Sequence, residues 1–228
     1  MSAYQYLTAA YNYDFSNLNI LECGSHMTGA ETEPFRKSNN CYYIEANPSD
    51  YHVMLHQHGV NKDNIFNVAL FNNNGKTTFT LSTHPGNSSI SHSEKHRQEL
   101  QSYGANLYDI TVDCITYPHF IRNVIKTPID ILVLDIEGGE CEVLKTMKDL
   151  DVSELPKFIA IEAGYDWLER KKLLIELGYV IDFYQFNNVY LTHSTLNVHK
   201  NTSVINNINN DNRQFIWYGQ TIFVNDLI

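Results

Sequence analysis

The feature that most constrains this chain is a series of short apolar runs separated by stretches with helical periodicity. The runs fall at residues 18–21, 41–44, 65–70, 129–134 and 158–161. They have strand length and carry Ile, Leu, Val and Tyr, which suits strands covered on both faces. Between them, residues 49–57, 140–150 and 166–177 read as helices. Val143, Leu144, Met147 and Leu150 form one apolar stripe, and Trp167, Leu173, Leu174 and Leu177 another. Ser49, behind Pro48, is the expected cap of the first of these helices, and Gly178 the stop of the last. Strand and helix in alternation predict an α/β fold with a parallel sheet covered by helices.

The remaining elements are peripheral. Residues 77–81 read as an extra strand. Residues 179–186 and 189–192 flank an Asn187-Asn188 turn and read as an antiparallel hairpin at a sheet edge. Residues 195–214 are polar and asparagine-rich, an expected exposed loop, and 215–224 an expected last strand. With residues 1–16 as a short N-terminal extension, 1–228 reads as a single domain.

Composition excludes several classes. No apolar run reaches the roughly 20 residues of a membrane helix, and residues 1–13 do not resemble a signal peptide. The expectation is a soluble, cytoplasmic protein, and the abundance of Asn and Tyr suits an AT-rich genome such as that of a virus or protist. The net charge of −10 argues against nucleic acid as a partner, because phosphate binding needs clustered Lys and Arg. Arg170-Lys171-Lys172, the larger basic cluster with Lys95-His96-Arg97, reads as the solvated face of a helix. Cys23, Cys41, Cys114 and Cys141 lack the pairing of a zinc or disulfide framework and read as small core residues of a reducing compartment.

Three segments concentrate chemistry. In Glu22-Cys23-Gly24-Ser25-His26 a carboxylate ends a strand and a glycine follows, where backbone can approach a ligand closely. Glu45 lies 23 residues after Glu22 at the end of the next apolar run, where a carboxylate accepts both hydroxyls of an adenosine ribose. These two segments point to a nucleoside cofactor without separating a nicotinamide from S-adenosylmethionine. Third, Asp135, Glu137 and Glu140 cluster where the most apolar strand emerges. Glu140 has a simple reading as a helix-dipole partner. Asp135 and Glu137 do not, since charge at a buried strand end is destabilising unless paired or used.

These pieces resemble the FkbM-type methyltransferases from about residue 18 to 164. The resemblance is carried by Glu22-Cys23-Gly24, Tyr43-Ile44-Glu45-Ala46-Asn47-Pro48, Asn67-Val68-Ala69-Leu70 with Gly75, Gly86-Asn87-Ser88-Ser89 and Leu134-Asp135-Ile136-Glu137-Gly138-Gly139-Glu140. It implies a Rossmann-like, doubly wound, mostly parallel seven-stranded sheet, S-adenosylmethionine as cofactor, and methylation of a hydroxyl on a sugar, glycan or natural-product-like acceptor. Carried over, it makes Glu22, Gly24, Ser25 and His26 cofactor contacts around the methionine part, Glu45 with Ala46 the ribose anchor, Asn67 and Ala69 neighbours of the adenine, and Asp135 and Glu137 neighbours of the transferring methyl. Thr28 departs from the family, standing where a glycine is usual with Gly29 one residue late, so either the methionine tail is crowded or the turn is shifted by one. Residues 114–117 depart too, as Cys-Ile-Thr-Tyr where the family carries Thr-Leu-Asp.

For a hydroxyl acceptor, a nearby carboxylate or imidazole would take the proton. Asp135, Glu137 and Glu162 are the candidate bases, followed by His26 and His84. The three carboxylates could instead hold a hard ion such as Mg²⁺. Residues 84–102 form a long connection, readable as an acceptor-binding lid presenting His84, Ser88 and His92 or as a plain surface loop. The alternatives are an inactive Rossmann-like binding or assembly module and a nicotinamide-dependent dehydrogenase.

Overall fold

A computed structural model describes residues 2–37, 39–91, 94–164, 166–185, 188–209, 215–217 and 220–222. In chain order the strands of the two larger sheets are β1 (Asn19–Cys23), β2 (Asn40–Ile44), β3 (Ile65–Phe66), β4 (Ala69–Leu70), β5 (Gly75–Ser82), β6 (Leu107–Ile115), β7 (Ile131–Leu134), β8 (Phe158–Glu162), β9 (Tyr179–Gln185) and β10 (Asn188–His193). The helices are α1 (Ala3–Ala10), α2 (Pro48–Gln57), α3 (Glu94–Ser102), α4 (Glu140–Thr146), α5 (Trp167–Glu176) and α6 (Thr202–Asn209).

Seven strands form the main sheet in the order β9-β10-β8-β7-β1-β2-β3. All neighbours from β8 to β3 are parallel, and β10 runs antiparallel to both β8 and β9. This is a Rossmann-like α/β arrangement. The chain winds outward from β1 to β3 on one side and continues from β7 on the other. Cys23 lies level with Ile44 and with Leu134, so β1, β2 and β7 end together. Loops leaving β1 and β7 diverge at this reversal of strand order and open a crevice at the carboxyl edge.

Alternation of side chains along the central strands serves two cores. Leu21, Cys23, Leu132, Leu134, Ile159 and Ile161 pack with the Val143, Leu144, Leu173 and Leu174 stripes of α4 and α5. Ile20, Ile131, Val133, Phe158 and Ala160 pack on the opposite face with Leu7, Ala10, Phe35 and Met54. All four cysteines are buried and free. No helix among the described residues is long and apolar enough to cross a membrane.

Several peripheral expectations need correction. The apolar run 65–70 is split: β3 ends in the main sheet, and β4 belongs to a second sheet of order β4-β6-β5. Strand β6 went unread, although Val112 and Cys114 turn inward between the outward Thr111 and Asp113, a period of two. Residues 84–102 are not loop throughout, since α3 occupies their second half. Helix α2 begins at Pro48, because the Asn47 side chain accepts the Ser49 N–H at 3.0 Å and proline suits the first helical position. The described parts of the expected extension and loop, residues 2–16 and 195–209, are built in rather than appended. Helix α1 buries Ala3, Tyr6, Leu7 and Ala10, Tyr11–Asn12 pairs with His199–Lys200, and α6 buries Ile205. Residues 215–217 and 220–222 pair with each other as a separate ribbon; the rest of the expected last strand, like Asn187 of the expected turn, lies outside the described residues.

Candidate active site

The crevice at the switch point is a cleft enclosing ≈ 820 Å³, its mouth included. Its floor is set by a close approach of backbone. Gly24 has φ +76°, and a Cβ there would lie 1.6 Å from the Asp135 carbonyl oxygen, so only glycine lets the loops after β1 and β7 meet. The Gly24 N–H donates to the Ile44 carbonyl at 3.0 Å, tying in the end of β2.

Glu45 is the polar centre of that side. It lines the cleft, and its carboxylate accepts the N–H of His26 at 2.7 Å and of Asn47 at 2.8 Å. Burial pushes its carboxyl up to about 7; the Asn47 N–H opposes the rise, the nearby Asp50 charge adds to it, and the His26 N–H opposes it too. Asn67 stands outside the cleft and donates its amide to the carbonyls of Glu45 and Ala46, at 2.8 and 3.2 Å, fixing that loop from behind. Ala46 and Ala69 line the cleft beside the apolar Val68, Leu70, Phe79 and Ile90.

Two expected cofactor contacts lie beneath the cleft rather than on its surface. Glu22 is buried and accepts both the N–H and the hydroxyl of Thr32, at 3.0 and 2.6 Å. Desolvation pushes its carboxyl up to about 8 against those two donors. Ser25 is buried, with its hydroxyl against the Met54 sulfur at 3.5 Å. Both brace the first loop. Gly29 takes the left-handed turn at φ +57°, where a Cβ would strike Met54, Tyr43 and Arg36. Gly29 thus makes the left-handed turn, and Thr28 does not line the cleft.

Asp135 and Glu137 line the opposite side, and Glu162 approaches from the end of β8, 5% exposed. One ligand atom from each of the three lies within 4.8 Å of the others, and no fourth His, Cys, Asp or Glu joins them among the described residues. Three carboxylates this close offer oxygen ligands for a hard cation as well as acceptors for a proton. Burial raises all three carboxyls well above their ordinary range; the Glu140 charge raises each of them further, and the Asp135 charge adds to the rise at Glu137 and Glu162. Glu137 has φ +58°, an uncommon conformation outside glycine.

Glu140 is more than a dipole partner. It is fully buried, accepts the N–H groups of Ile136 and Gly138, and pairs with Arg170 at 2.7 Å. Arg170 overturns the expected solvated face, being 1% exposed. Its place was readable, because it falls on the apolar stripe of α5 three residues after Trp167 and before Leu173.

The hairpin after β5 covers the mouth. Ser89 pairs with Thr80 and its hydroxyl donates to the Glu137 carbonyl at 2.7 Å. Ser88 lines the cleft. His84 is exposed and faces Asn87 instead, and His92 lies outside the described residues. His52 and His56 stack on the exposed face of α2 and take no part in the cleft.

None of the curated proteins matches the chain. Among solved structures it is similar to a precorrin 8w decarboxylase from Methanobacterium thermoautotrophicum, at 17% identity over 77% of this chain and 80% of that one, with a TM-score of 0.38. It is also similar to a magnesium protoporphyrin IX methyltransferase from Synechocystis, solved with SAM bound, at 10% identity over 82% and 73%, with a TM-score of 0.43. A ribosomal protein L11 methylase from Lactobacillus delbrueckii matches at 9% identity over 87% and 76%, with a TM-score of 0.42. Likeness this distant says nothing about substrate. The Methyltransferase FkbM domain, by contrast, matches residues 22–200, which begin at the Glu22 brace and include every cleft residue described above, and the chain belongs to that family.

Proposed function

We propose that this protein transfers the methyl group of S-adenosylmethionine to a hydroxyl on a sugar, glycan or natural-product-like small molecule. The observation that carries the reading is the pairing, across one cleft at the switch point, of Glu45 on one side with Asp135 and Glu137 on the other. The donor set fits the cofactor: Glu45 keeps lone pairs for two ribose hydroxyls, and Val68, Leu70, Phe79 and Ile90 offer apolar walls to a flat base. Gly24, His26 and Ala46 would line the remainder, with Ala69 near the base and Asn67 bracing the Glu45–Ala46 loop from behind.

When bound, the cofactor supplies an electrophilic methyl that needs no further activation, so the protein's task is alignment. Burial pushes the Asp135 carboxyl up to about 7 and that of Glu137 to about 8, and lifts Glu162 well above the ordinary range, which suits groups that take a hydroxyl proton. Ser88 lines the cleft from the hairpin and would meet the acceptor there. Thr28 is not part of the cleft lining and so does not crowd a ligand, which supports an active site over an inactive binding module.

Thermal unfolding with S-adenosylmethionine, S-adenosylhomocysteine and NAD tests the reading. Ligand at about a hundred times its dissociation constant adds roughly 2.7 kcal/mol, which raises Tm by about 5–10 °C for a chain of this size. A rise with both adenosyl compounds and not NAD is expected. No rise with any of them at millimolar concentration would sink the proposal.

A further inference from the structure

Arg170 reaches both segments that present carboxylates of the trio, that of Glu162 directly and that of Asp135 and Glu137 through Glu140. Its Nη2 lies 2.7 Å from Glu140 and 2.6 Å from Asp166, and its Nη1 donates to the backbone carbonyl of Glu162 at 2.5 Å. Glu140 in turn accepts the N–H of Ile136 at 3.0 Å and of Gly138 at 3.0 Å, so it shapes the loop that carries Asp135 and Glu137. Gly164, just beyond Glu162, has no room for a side chain because a Cβ would sit 2.5 Å from the guanidinium. Stability alone is a poor explanation for such a group, since a buried ion pair is often no better than well-packed apolar residues. A planar, permanently charged fork that grips two separate loops does what an apolar filler cannot.

We propose that Arg170 is a positioning residue of the cleft, fixing through Glu140 the loop of Asp135 and Glu137, fixing directly the strand end of Glu162, and supplying the counter-charge that lets these carboxylates ionise. It touches none of the reacting atoms. The proposal rests on the methyl-transfer reading only for its consequence, because the geometry stands without a cofactor. Other charged or titratable groups surround the trio: Glu31 behind Asp135, Asp166 and Cys141 beside Arg170, and His26, Glu45 and Asp50 along the cleft. All remain unchanged in the variants below.

The test uses the full chain with ¹³C-labelled Asp and Glu carboxyls, titrated by NMR, as wild type, R170M, R170K and E140Q. R170M removes a positive charge from beside the trio, so its carboxyl midpoints should move up by about one pH unit or more. E140Q removes a negative charge and should move them down. R170K keeps the charge without the fork, so the midpoints should stay near wild type. In parallel, affinities for S-adenosylmethionine, whose sulfonium is positive, and for neutral S-adenosylhomocysteine are measured against pH. The preference for the sulfonium should appear at higher pH in R170M and at lower pH in E140Q, while R170K weakens both ligands about equally. Unmoved carboxyl midpoints in folded R170M overturn the proposal. If R170M does not fold, the downward shift in E140Q decides, and its absence is equally fatal. Wild type that binds neither adenosyl compound refutes the methyl-transfer reading, and the NMR titration still judges Arg170.

Discussion

The Glu45 carboxylate accepts the His26 backbone N–H at 2.7 Å, so the group proposed to hold the ribose also ties the loop after β1 to the end of β2. Removing it should therefore do two things. Glu45→Ala should abolish the Tm rise given by S-adenosylhomocysteine, a loss of about a hundredfold or more in affinity, and loosen the first loop. Glu45→Gln keeps an acceptor for the N–H and should lose only about tenfold. Isothermal titration of both variants checks the order, and equal affinity in wild type and Glu45→Ala would remove Glu45 from the ribose.

Gly24 and Gly59 both have positive φ, but only Gly24 is crowded, with nothing within 4 Å of a Cβ at Gly59. Gly59→Ala should lower stability by about 1 kcal/mol through backbone strain alone. Gly24→Ala must also part the β1 and β7 loops, and should cost about 2–4 kcal/mol together with most adenosyl affinity. Urea unfolding of the two variants measures the difference.

Stability should fall as pH rises. Glu22 titrates near 8 in the folded chain against 4.5 for an ordinary glutamate, and Glu45 near 7. A raised carboxyl favours the folded state fully below the unfolded value, and that stabilisation is lost as pH climbs through the folded one. The fall should thus occupy the window from about pH 4.5 to 8. Glu22→Gln should flatten it, gaining several degrees of Tm over wild type at pH 8.5 and little at pH 5. A Tm series against pH that rises over this window would refute the assignment.

Glu162→Gln, Asp135→Asn and Glu137→Gln keep side-chain shape and remove the proton acceptor. The variant that removes the working base should slow transfer of labelled methyl to a hydroxyl acceptor by about 10²–10⁴-fold. Affinity for S-adenosylhomocysteine should change by less than about threefold. If all three retain wild-type turnover, the base lies elsewhere.

The central sheet was legible because its strands are buried on both faces and therefore apolar throughout, and the helices between them keep a plain stripe. Gly24, Glu45, Ala46, Asp135 and Glu137 were legible for a related reason, since each follows the last apolar residue of such a strand. What escaped reading depends on partners distant in sequence. Glu22 looks like a cleft residue until Thr32 claims its carboxylate. Arg170 looks solvated in a run of three basic residues, yet its position on the α5 stripe buries it against Glu140. Residues 195–214 look like loop because asparagines dominate them, yet among those described Leu196, Val198 and Ile205 pack into the core that also holds α1.

The split between β3 and β4 gives the two sides of the cleft different mechanical characters. Phe66 ends in the seven-stranded sheet, and three residues later Ala69 starts the smaller one. The Glu45 side is therefore bolted to the stiffest part of the molecule, and the Phe79, Ser88 and Ile90 side rides on a satellite sheet joined to it through Asn67 and Val68. Substitutions on the hairpin around Ser88 can therefore reshape what is admitted while the Glu45 anchor in the main sheet stays as it was. A lineage built this way has one wall to remodel for its ligands and one to keep.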